Sequence, residues 1–200
     1  SEILKVAEEE FLEKNYRGAS IDEIVEKAGV TKRTFYKYFP SKLALFMHVF
    51  EVHLSKLKKE LSSKSRAVSV QKEIEQHYRK LFRFTHKNEK FMRLYWMMDS
   101  SEFEGEIPPE LICQVQRLTH EMFKTSLDIF DRAKASGEII NVDTFLLVHL
   151  LSAVNKGIFI HASKEKRFEI AKINQSELFS LLFAILEQGL FTKPTGGDKQ

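Results

Sequence analysis

Apolar residues recur at helical spacing from one end of the chain to the other, and this periodicity is what most limits its fold. One face of the first predicted helix is marked by Ile3, Leu4, Ala7, Phe11 and Leu12. No stretch of useful length alternates apolar and polar residues as a half-buried strand does. Glycine and proline, which interrupt helices, number only eight and four among 200 residues. The sequence therefore predicts an all-α protein of about nine helices.

Capping residues and breaks in the pattern give the expected helix ends. Ser20 and Glu23 have the spacing of a capping box at the start of the second helix, and Gly29 can take the left-handed conformation that ends it. Pro40 stops the third helix, and Ser41 caps the fourth. The predicted helices cover residues 3 to about 15–18, 21–28, 31–39, 42–61, 70–86, 89–98, 109–135, 144–163 and 175–191.

Cysteine content and hydropathy limit the compartment in which the chain works. Cys113 is the only cysteine, which excludes a disulfide within the chain and a structural zinc site built on several thiolates. A chain without disulfides suits a reducing compartment, so the expected location is cytoplasmic. No run of about 18 apolar residues is long enough to span a bilayer, and no signal-peptide pattern begins the sequence. We therefore expect no membrane partner.

Patterns that support catalysis are missing from the sequence. His120 and Glu121 begin a zinc-protease motif, but Lys124 stands where the second histidine is required. The seven histidines lack the spacing of metal ligands, and neither a glycine-rich phosphate loop nor a Gly-x-Ser-x-Gly motif occurs. The sequence predicts no enzyme activity, no metal and no cofactor. For Cys113 it predicts a buried structural role.

Positive charge is concentrated in one segment of a nearly neutral protein. The net charge is only +3, yet residues 27–50 contain five basic side chains and no acidic one. The five are Lys27, Lys32, Arg33, Lys37 and Lys42. The overall charge indicates little about partners, but a local basic patch of this kind is typical of a surface that contacts nucleic acid.

The two short helices around Gly29 have the spacing of a helix-turn-helix, in which the second helix enters the major groove. At 100° per residue, Phe35 and Phe39 lie about 40° apart and form one narrow inward face. Arg33 and Lys37 then lie about 160° and 200° from Phe35, on the opposite side. One face of this helix is predicted to pack while the remainder can enter a groove.

Residue types on the exposed side divide into base and phosphate contacts. Arg33 can make a bidentate hydrogen bond to guanine, and Lys32 lies in the same first turn. Tyr36 can contact a thymine methyl group or a phosphate. The other candidates, which carry hydroxyl or ammonium groups suited to phosphate, are Ser20, Thr31, Thr34, Lys37, Tyr38 and Lys42.

The alternative is that this segment is only an amphipathic helix with a solvated basic side. The run's lack of acids argues against that alternative, as do the exposed tyrosines, which reduce solubility unless they contact a partner.

At these residues the sequence resembles the TetR family of transcriptional regulators. The similarity is carried by "SIDEIVEKAGVTKRTFYKYFPSKLALF", residues 20–46, and by "YRGAS" before it. Arg33 departs from the small residue common at its position. The resemblance implies a DNA-binding domain over residues 1–48 and an effector-binding and dimerisation domain over residues 49–200.

Dimerisation is expected because one helix-turn-helix reads too little sequence alone, so two half-sites about one helical turn apart are needed. The family forms its dimer through a four-helix bundle, and the last two predicted helices have broad apolar faces. The candidates are Leu150, Val154, Gly157, Leu178, Leu181, Leu182, Ile185, Leu186 and Gly189. The alternative is that these residues only complete the core of one chain.

The resemblance also implies a cavity for an effector between the helices of the second domain. Aromatic and methionine residues at helical spacing are usually core, and some of them would line this cavity. The candidates are Trp96, Met97, Phe123 and Phe159, with His149 and Asn155 as polar groups.

We therefore interpret the chain as a ligand-responsive repressor that a small apolar or amphipathic effector releases from a pseudo-palindromic operator. A second hypothesis is a TetR-like architectural or cell-division factor that acts through a protein partner without an effector. A third is a ligand carrier whose helix-turn-helix no longer binds DNA.

Overall fold

Nine α-helices make up the part of the chain that the computed structural model describes, residues 2–62, 69–99, 109–164 and 174–192. This confirms the predicted all-α fold. The helices are α1 Glu2–Gly18, α2 Ile21–Lys27, α3 Lys32–Tyr38, α4 Lys42–Leu61, α5 Val70–Lys87, α6 Glu89–Asp99, α7 Pro109–Ala135, α8 Thr144–Lys164 and α9 Gln175–Gly189. None of the helices in these ranges is long and apolar enough to cross a membrane.

The last helix ends earlier than the sequence pattern predicted. α9 stops at Gly189, and the next residues form an antiparallel bridge between Phe191 and Ile139. The backbone N–H of Ile140 donates to the carbonyl of Leu190 at 2.9 Å. These bonds between distant backbone segments replace the last helical turn, and periodicity within the helix cannot reveal them.

The chain divides into two compact units that do not follow chain order. The first unit comprises Ser1–Lys59 and Asn88–Met122, and the second comprises Glu60–Lys87 and Phe123–Gln200. α4 and α7 therefore each contribute residues to both units. The boundary at residue 48 between the DNA-binding and effector domains stays a prediction.

Aromatic side chains fill the core of the first unit. Phe11 of α1 meets Phe46 of α4 edge-on at 5.1 Å between ring centroids. Phe50 of α4 stacks on Phe91 of α6 at 5.7 Å. All four rings are fully buried or nearly so. They hold α1 and α6 to the same face of α4.

A backbone kink at Asn15 redirects the end of α1. Its φ of 59° and ψ of 176° lie in a region that non-glycine residues rarely occupy. Beyond the kink, the ring of Tyr16 packs edge-on against Phe46 at 5.5 Å. The predicted end of α1 near Asn15 and Gly18 therefore corresponds to this kink and to the true helix end.

The core of the second unit lies among α5, α8, α9 and the end of α7. Phe130 of α7 is fully buried against Tyr78 of α5, with ring centroids 5.9 Å apart. Phe82 of α5 stacks on Phe179 of α9 at 4.6 Å. α8 packs against both α5 and α9.

Cys113 does not have the predicted position. It is exposed on α7, so the expectation of a buried thiol is wrong. Leu118, five residues later, is buried, and five residues turn a helix by about 500°, or 140° beyond one full turn. Cys113 therefore lies away from the buried side of α7.

Candidate nucleic-acid interface

The turn between α2 and α3 is fixed by backbone hydrogen bonds around Gly29. The N–H of Gly29 donates to the carbonyl of Glu26 at 3.1 Å, and that of Val30 donates to Val25 at 3.0 Å. This pattern is the Schellman motif, which needs a left-handed residue. Gly29 has a φ of 66°, so its predicted role is confirmed.

Capping side chains define the starts of the helices at this site. The Ser20 hydroxyl accepts from the N–H of Asp22 at 3.2 Å. The Thr31 hydroxyl accepts from the N–H of Thr34 at 3.1 Å, and the two threonine hydroxyl oxygens are 3.0 Å apart. Ser41 caps α4 in the same way, through the N–H of Ala44 at 3.1 Å. Ser20, Thr31 and Thr34, all candidates for DNA contact, thus also fix the helix starts.

α3 buries one face only, as the helical spacing predicted. Phe35 is completely buried and Phe39 nearly so. Phe35 contacts the ring of Phe39 at 5.7 Å and meets Tyr36 edge-on at 5.0 Å. The remaining residues of α3 are exposed: Lys32, Arg33, Thr34, Tyr36, Lys37 and Tyr38. A broad polar and aromatic face is therefore available to a partner.

Two tyrosines on this face are unusually exposed for their size. The exposed fractions are 53% for Tyr36 and 64% for Tyr38. The Lys37 ammonium lies 5.7 Å from the ring centroid of Tyr38. Burial of an exposed aromatic ring is favourable in free energy, so this surface is suited to contact with another molecule.

Four of the five basic residues of the segment fall into two groups. Lys27 donates to the buried carboxylate of Glu10, and Lys32 pairs with Asp22 at 2.7 Å. Among the described residues, neither Arg33 nor Lys37 forms an ion pair. These two cations are therefore the ones most available to a nucleic acid.

Lys42 is tied into the protein. Its ammonium donates to the carbonyl of Ala19 at 2.9 Å and lies 4.6 Å from the ring centroid of Tyr16. Burial lowers the pKa of this lysine. Lys42 thus joins the start of α4 to the end of α1, and its predicted phosphate contact stays a prediction.

A buried carboxylate joins α1 to α2. The Glu10 side chain is almost fully buried and forms ion pairs with Lys27 of α2 and Lys14 of α1. Lys14 Nζ lies 3.0 Å from Glu10 Oε2. The hydrogen bond from Lys27 is the main cause that lowers the pKa of Glu10, although burial opposes it. Lys14 also pairs with Glu23 at 2.8 Å. Glu23, which the sequence assigned to a capping box, thus helps this cluster hold α2 in place.

Substitution of Glu10 is expected to reduce stability in a pH-dependent way. The Glu10→Gln variant should lose about 1–2 kcal/mol of unfolding free energy at pH 7, since it loses charge-assisted hydrogen bonds. The native pKa of Glu10 lies below its unfolded value, so its contribution is present above about pH 4.5 and is lost as pH falls through the native pKa. Urea unfolding followed by the fluorescence of Trp96, the only tryptophan, at pH 7 and pH 3.5 checks this.

The matched control is Glu13→Gln, because Glu13 is exposed on the same helix. It should leave both stability and pH dependence nearly unchanged. An equal loss in both variants, or a Glu10→Gln loss that persists at low pH, would contradict the role of the cluster.

The residues predicted for an effector are divided between the two units. Trp96 and Met97 belong to the first, where Trp96 is 44% exposed and Met97 is buried. Phe123, His149, Asn155 and Phe159 belong to the second. Of these, the structure brings Phe123 and His149 into contact, with ring centroids 4.6 Å apart.

The residues predicted for a dimer lie on α8 and α9 and include three large apolar side chains that are exposed. Leu150, Leu181 and Ile185 are 61%, 59% and 59% exposed. Val154, Gly157, Leu178, Leu182 and Leu186 are half-buried, and Gly189 is exposed. Part of the apolar surface of these two helices is therefore exposed to solvent in the single chain.

Sequence reasoning did not identify Asp22 or Glu10 as part of this site. Both stand in helices that also contain several other acidic residues, and nothing in the local pattern distinguishes them. Over the ranges that the structure covers, no group of three or more His, Cys, Asp or Glu side chains could hold a metal ion.

Comparison with known families identifies this segment. Residues 3–49 match the family model of the bacterial regulatory proteins of the tetR family. The matched range runs from α1 into α4 and includes every residue of the candidate interface.

One curated relative is the HTH-type transcriptional activator FasR from Mycolicibacterium smegmatis. It is 39% identical over 56 residues, which are 28% of this chain and 26% of FasR. The chain thus matches about a quarter of that relative's length.

Solved structures resemble the chain over nearly its whole length. FadR, a fatty acid degradation regulator from Bacillus halodurans, has a TM-score of 0.67 at 16% identity and covers 92% of this chain and 96% of its own. A TetR family transcriptional regulator from Chloroflexus aurantiacus has a TM-score of 0.65 at 18% identity and covers 96% and 93%. At such identities the likeness concerns the fold alone.

Proposed function

We propose that this protein, a transcriptional regulator of the TetR family, is a ligand-responsive repressor. It binds a pseudo-palindromic operator as a homodimer, and a small amphipathic effector releases it. Because its target is chromosomal DNA, it acts in the cytoplasm. The observation that carries the proposal is the exposed face of α3, on which Arg33 has no ion-pair partner among the described residues.

The geometry of α3 supports direct reading of bases. Arg33 stands in the first turn, the part of a recognition helix that contacts base edges. Its fork of donors matches the O6 and N7 acceptors of guanine. Tyr36, held edge-on by the buried Phe35, presents a ring that can pack on a thymine methyl group. Lys37 and the threonine hydroxyls suit phosphate contacts.

The exposed apolar residues of α8 and α9 support a dimer. Leu150, Leu181 and Ile185 would each leave water if a second copy of the chain packed on them. Large apolar side chains exposed together normally mark an interface. A symmetric dimer also supplies the second helix-turn-helix that an operator with two half-sites requires.

A cavity in the second unit supports an effector with a polar group. Its volume is about 350 Å³, and its lining includes Glu73, His77, Lys80, Asp128 and Arg132. Most of the lining side chains are polar or charged, so the ligand needs hydrogen-bonding groups as well as apolar surface. FadR, which the fold resembles, is a fatty acid degradation regulator, and fatty acids are amphipathic.

The deepest polar side chain of this cavity is uncharged at neutral pH. Burial, with a smaller effect from the charge of Lys80, lowers the pKa of His77 to about 4. His77 Nε2 lies 2.7 Å from the Ser126 hydroxyl. His77 lines the cavity, so its other ring nitrogen can hydrogen-bond a neutral group of an effector. None of the six side chains predicted for the effector lines this cavity.

Effector binding would release the protein from DNA through α4, which begins next to the helix-turn-helix and ends at the cavity. Lys42 opens the helix, and Leu61, its last residue, belongs to the cavity lining. An effector acts on DNA affinity only if it prefers one conformation of the protein. Mass spectrometry of small molecules extracted from the purified protein would identify candidates for this effector.

Arg33→Ala is the substitution that tests the proposed function. We expect it to weaken binding to DNA selected by the native protein by about 1–3 kcal/mol, or about fivefold to 150-fold. A gel-shift titration measures this loss, and thermal unfolding should be nearly unchanged because Arg33 is exposed.

The matched control is Arg83→Ala, because Arg83 is an exposed arginine of α5 in the other unit. It should leave DNA binding unaltered. If Arg33→Ala binds the selected DNA as tightly as the native protein does, α3 is not the reading element and the proposal is wrong.

A further inference from the structure

We propose that Asp22 is a positioning residue for Lys32 that weakens binding to non-specific DNA and so increases the preference for the operator. The inference rests on the proposed function, since it requires that α3 meets DNA. It concerns an acidic side chain on a surface that otherwise attracts phosphate.

The contact joins the starts of two helices. Asp22 is the second residue of α2, and Lys32 is the first residue of α3. Lys32 Nζ lies 2.7 Å from Asp22 Oδ1, and the hydrogen bond raises the pKa of the lysine. The two side chains are 58% and 66% exposed. The pair therefore lies at the protein surface, and its lysine belongs to the helix that carries Arg33 and Tyr36.

Stability does not explain why this pair is present. Ion pairs between exposed side chains contribute little to folding because water already solvates both charges. An acidic residue in the first turn of α2 also favours the helix dipole, but Glu23 occupies the same turn and serves that purpose. Glu23 pairs with Lys14 of α1, not with a residue of α3.

The consequence for DNA binding follows from the charges. Non-specific binding depends on lysine and arginine reaching phosphates and releasing counterions. A phosphate that approaches Lys32 also approaches the Asp22 carboxylate, and the two negative charges repel each other, whereas a base edge carries no net charge. On the operator, Lys32 can stay beside Asp22, because its ammonium has two further donors that can face a base edge.

The Asp22→Asn variant separates these two modes of binding. The probes are a duplex selected by the native protein from a random library and a shuffled duplex of equal length and composition. Affinity for the shuffled duplex should rise about threefold to tenfold. The slope of log affinity against log salt concentration should steepen by about 0.9 for each helix-turn-helix, because Lys32 gains one phosphate contact. Affinity for the selected duplex should change less than twofold, so the preference falls.

Three variants distinguish positioning from a general change of charge. Glu23→Gln removes the same charge from the same turn and should not alter the preference as strongly. Asp22→Glu keeps a carboxylate for Lys32 and should retain most of the native preference. In an Asp22→Asn, Lys32→Ala double variant, the added salt dependence should disappear, because the lysine that caused it is gone.

The results also separate this inference from the function on which it rests. If native protein shows no preference for any selected duplex, the proposed function fails. If the native preference is clear but Asp22→Asn and Glu23→Gln change shuffled-duplex binding equally, Asp22 acts only through bulk charge. In that case the positioning role is wrong while the proposed function stands.

Discussion

The Leu181→Glu, Ile185→Glu double variant is expected to be a folded monomer that binds the operator about a hundredfold to ten-thousandfold more weakly than the native dimer. Both side chains are 59% exposed in a single chain, so the substitutions should not disturb its core. In a dimer they would place two carboxylates per chain in a dry interface, where unpaired charges are strongly unfavourable. The loss is large because two linked heads bind far more tightly than one.

Light scattering with size exclusion gives the mass, and a gel-shift titration gives the affinity. Ser176→Glu is the control, since it adds one carboxylate to the exposed first turn of α9, away from the apolar residues. It should remain dimeric. A double variant that stays dimeric would contradict the assignment of the interface to this face of α9.

Phe35→Ala is expected to destabilise the DNA-binding unit by about 3–5 kcal/mol. Phe35 has no exposed surface and contacts Phe39 and Tyr36, so its removal leaves a cavity beneath the recognition helix. Small domains are stable by only about 5–15 kcal/mol, so this loss would remove a large share of the unfolding free energy. Urea unfolding followed by Trp96, which lies in the same unit, measures the loss.

Tyr36→Ala provides the comparison that separates folding from recognition. Its ring is more than half exposed, so unfolding free energy should change by less than about 1 kcal/mol while DNA binding weakens. Equal destabilisation by the two substitutions would mean that Phe35 does not anchor α3 as its burial indicates.

Local features of the fold could be predicted from the sequence because they depend on residues a few positions apart. The end of α2 requires only that Gly29 adopt a left-handed φ. The cap of α4 requires only that the Ser41 hydroxyl accept from an N–H three residues later. The division of α3 into a buried side at Phe35 and an exposed side at Arg33 follows from helical spacing alone. For the same reason the exposed candidates for DNA contact were identified without coordinates.

Charge pairing at the site could not be predicted, because it depends on how separate helices pack. Lys27 and Glu10 are 17 residues apart, and Lys42 contacts a carbonyl 23 residues away. In the sequence Lys27, Lys32 and Lys42 are equivalent members of one basic run. In the structure only Arg33 and Lys37 of that run, within the described residues, are not held by an acid or a carbonyl.

The cavity proposed for the effector does not coincide with the effector residues that the sequence predicted, and both stay proposals. The sequence identified aromatic and methionine residues, whereas the cavity of the second unit is lined mainly by polar and charged side chains such as Glu73 and Arg132. Apolar spacing predicts which residues avoid water but cannot locate a cavity, since a cavity depends on where packing leaves space.

The most direct test of the central claim is to let the native protein select DNA from a random library and to sequence what it retains. The proposed function predicts an enriched pseudo-palindrome whose two half-sites lie about one helical turn, 10–10.5 base pairs, apart. Footprinting should show both half-sites protected by one dimer. Absence of any enriched sequence, or enrichment of a single half-site bound by a monomer, would contradict a dimeric operator-binding regulator.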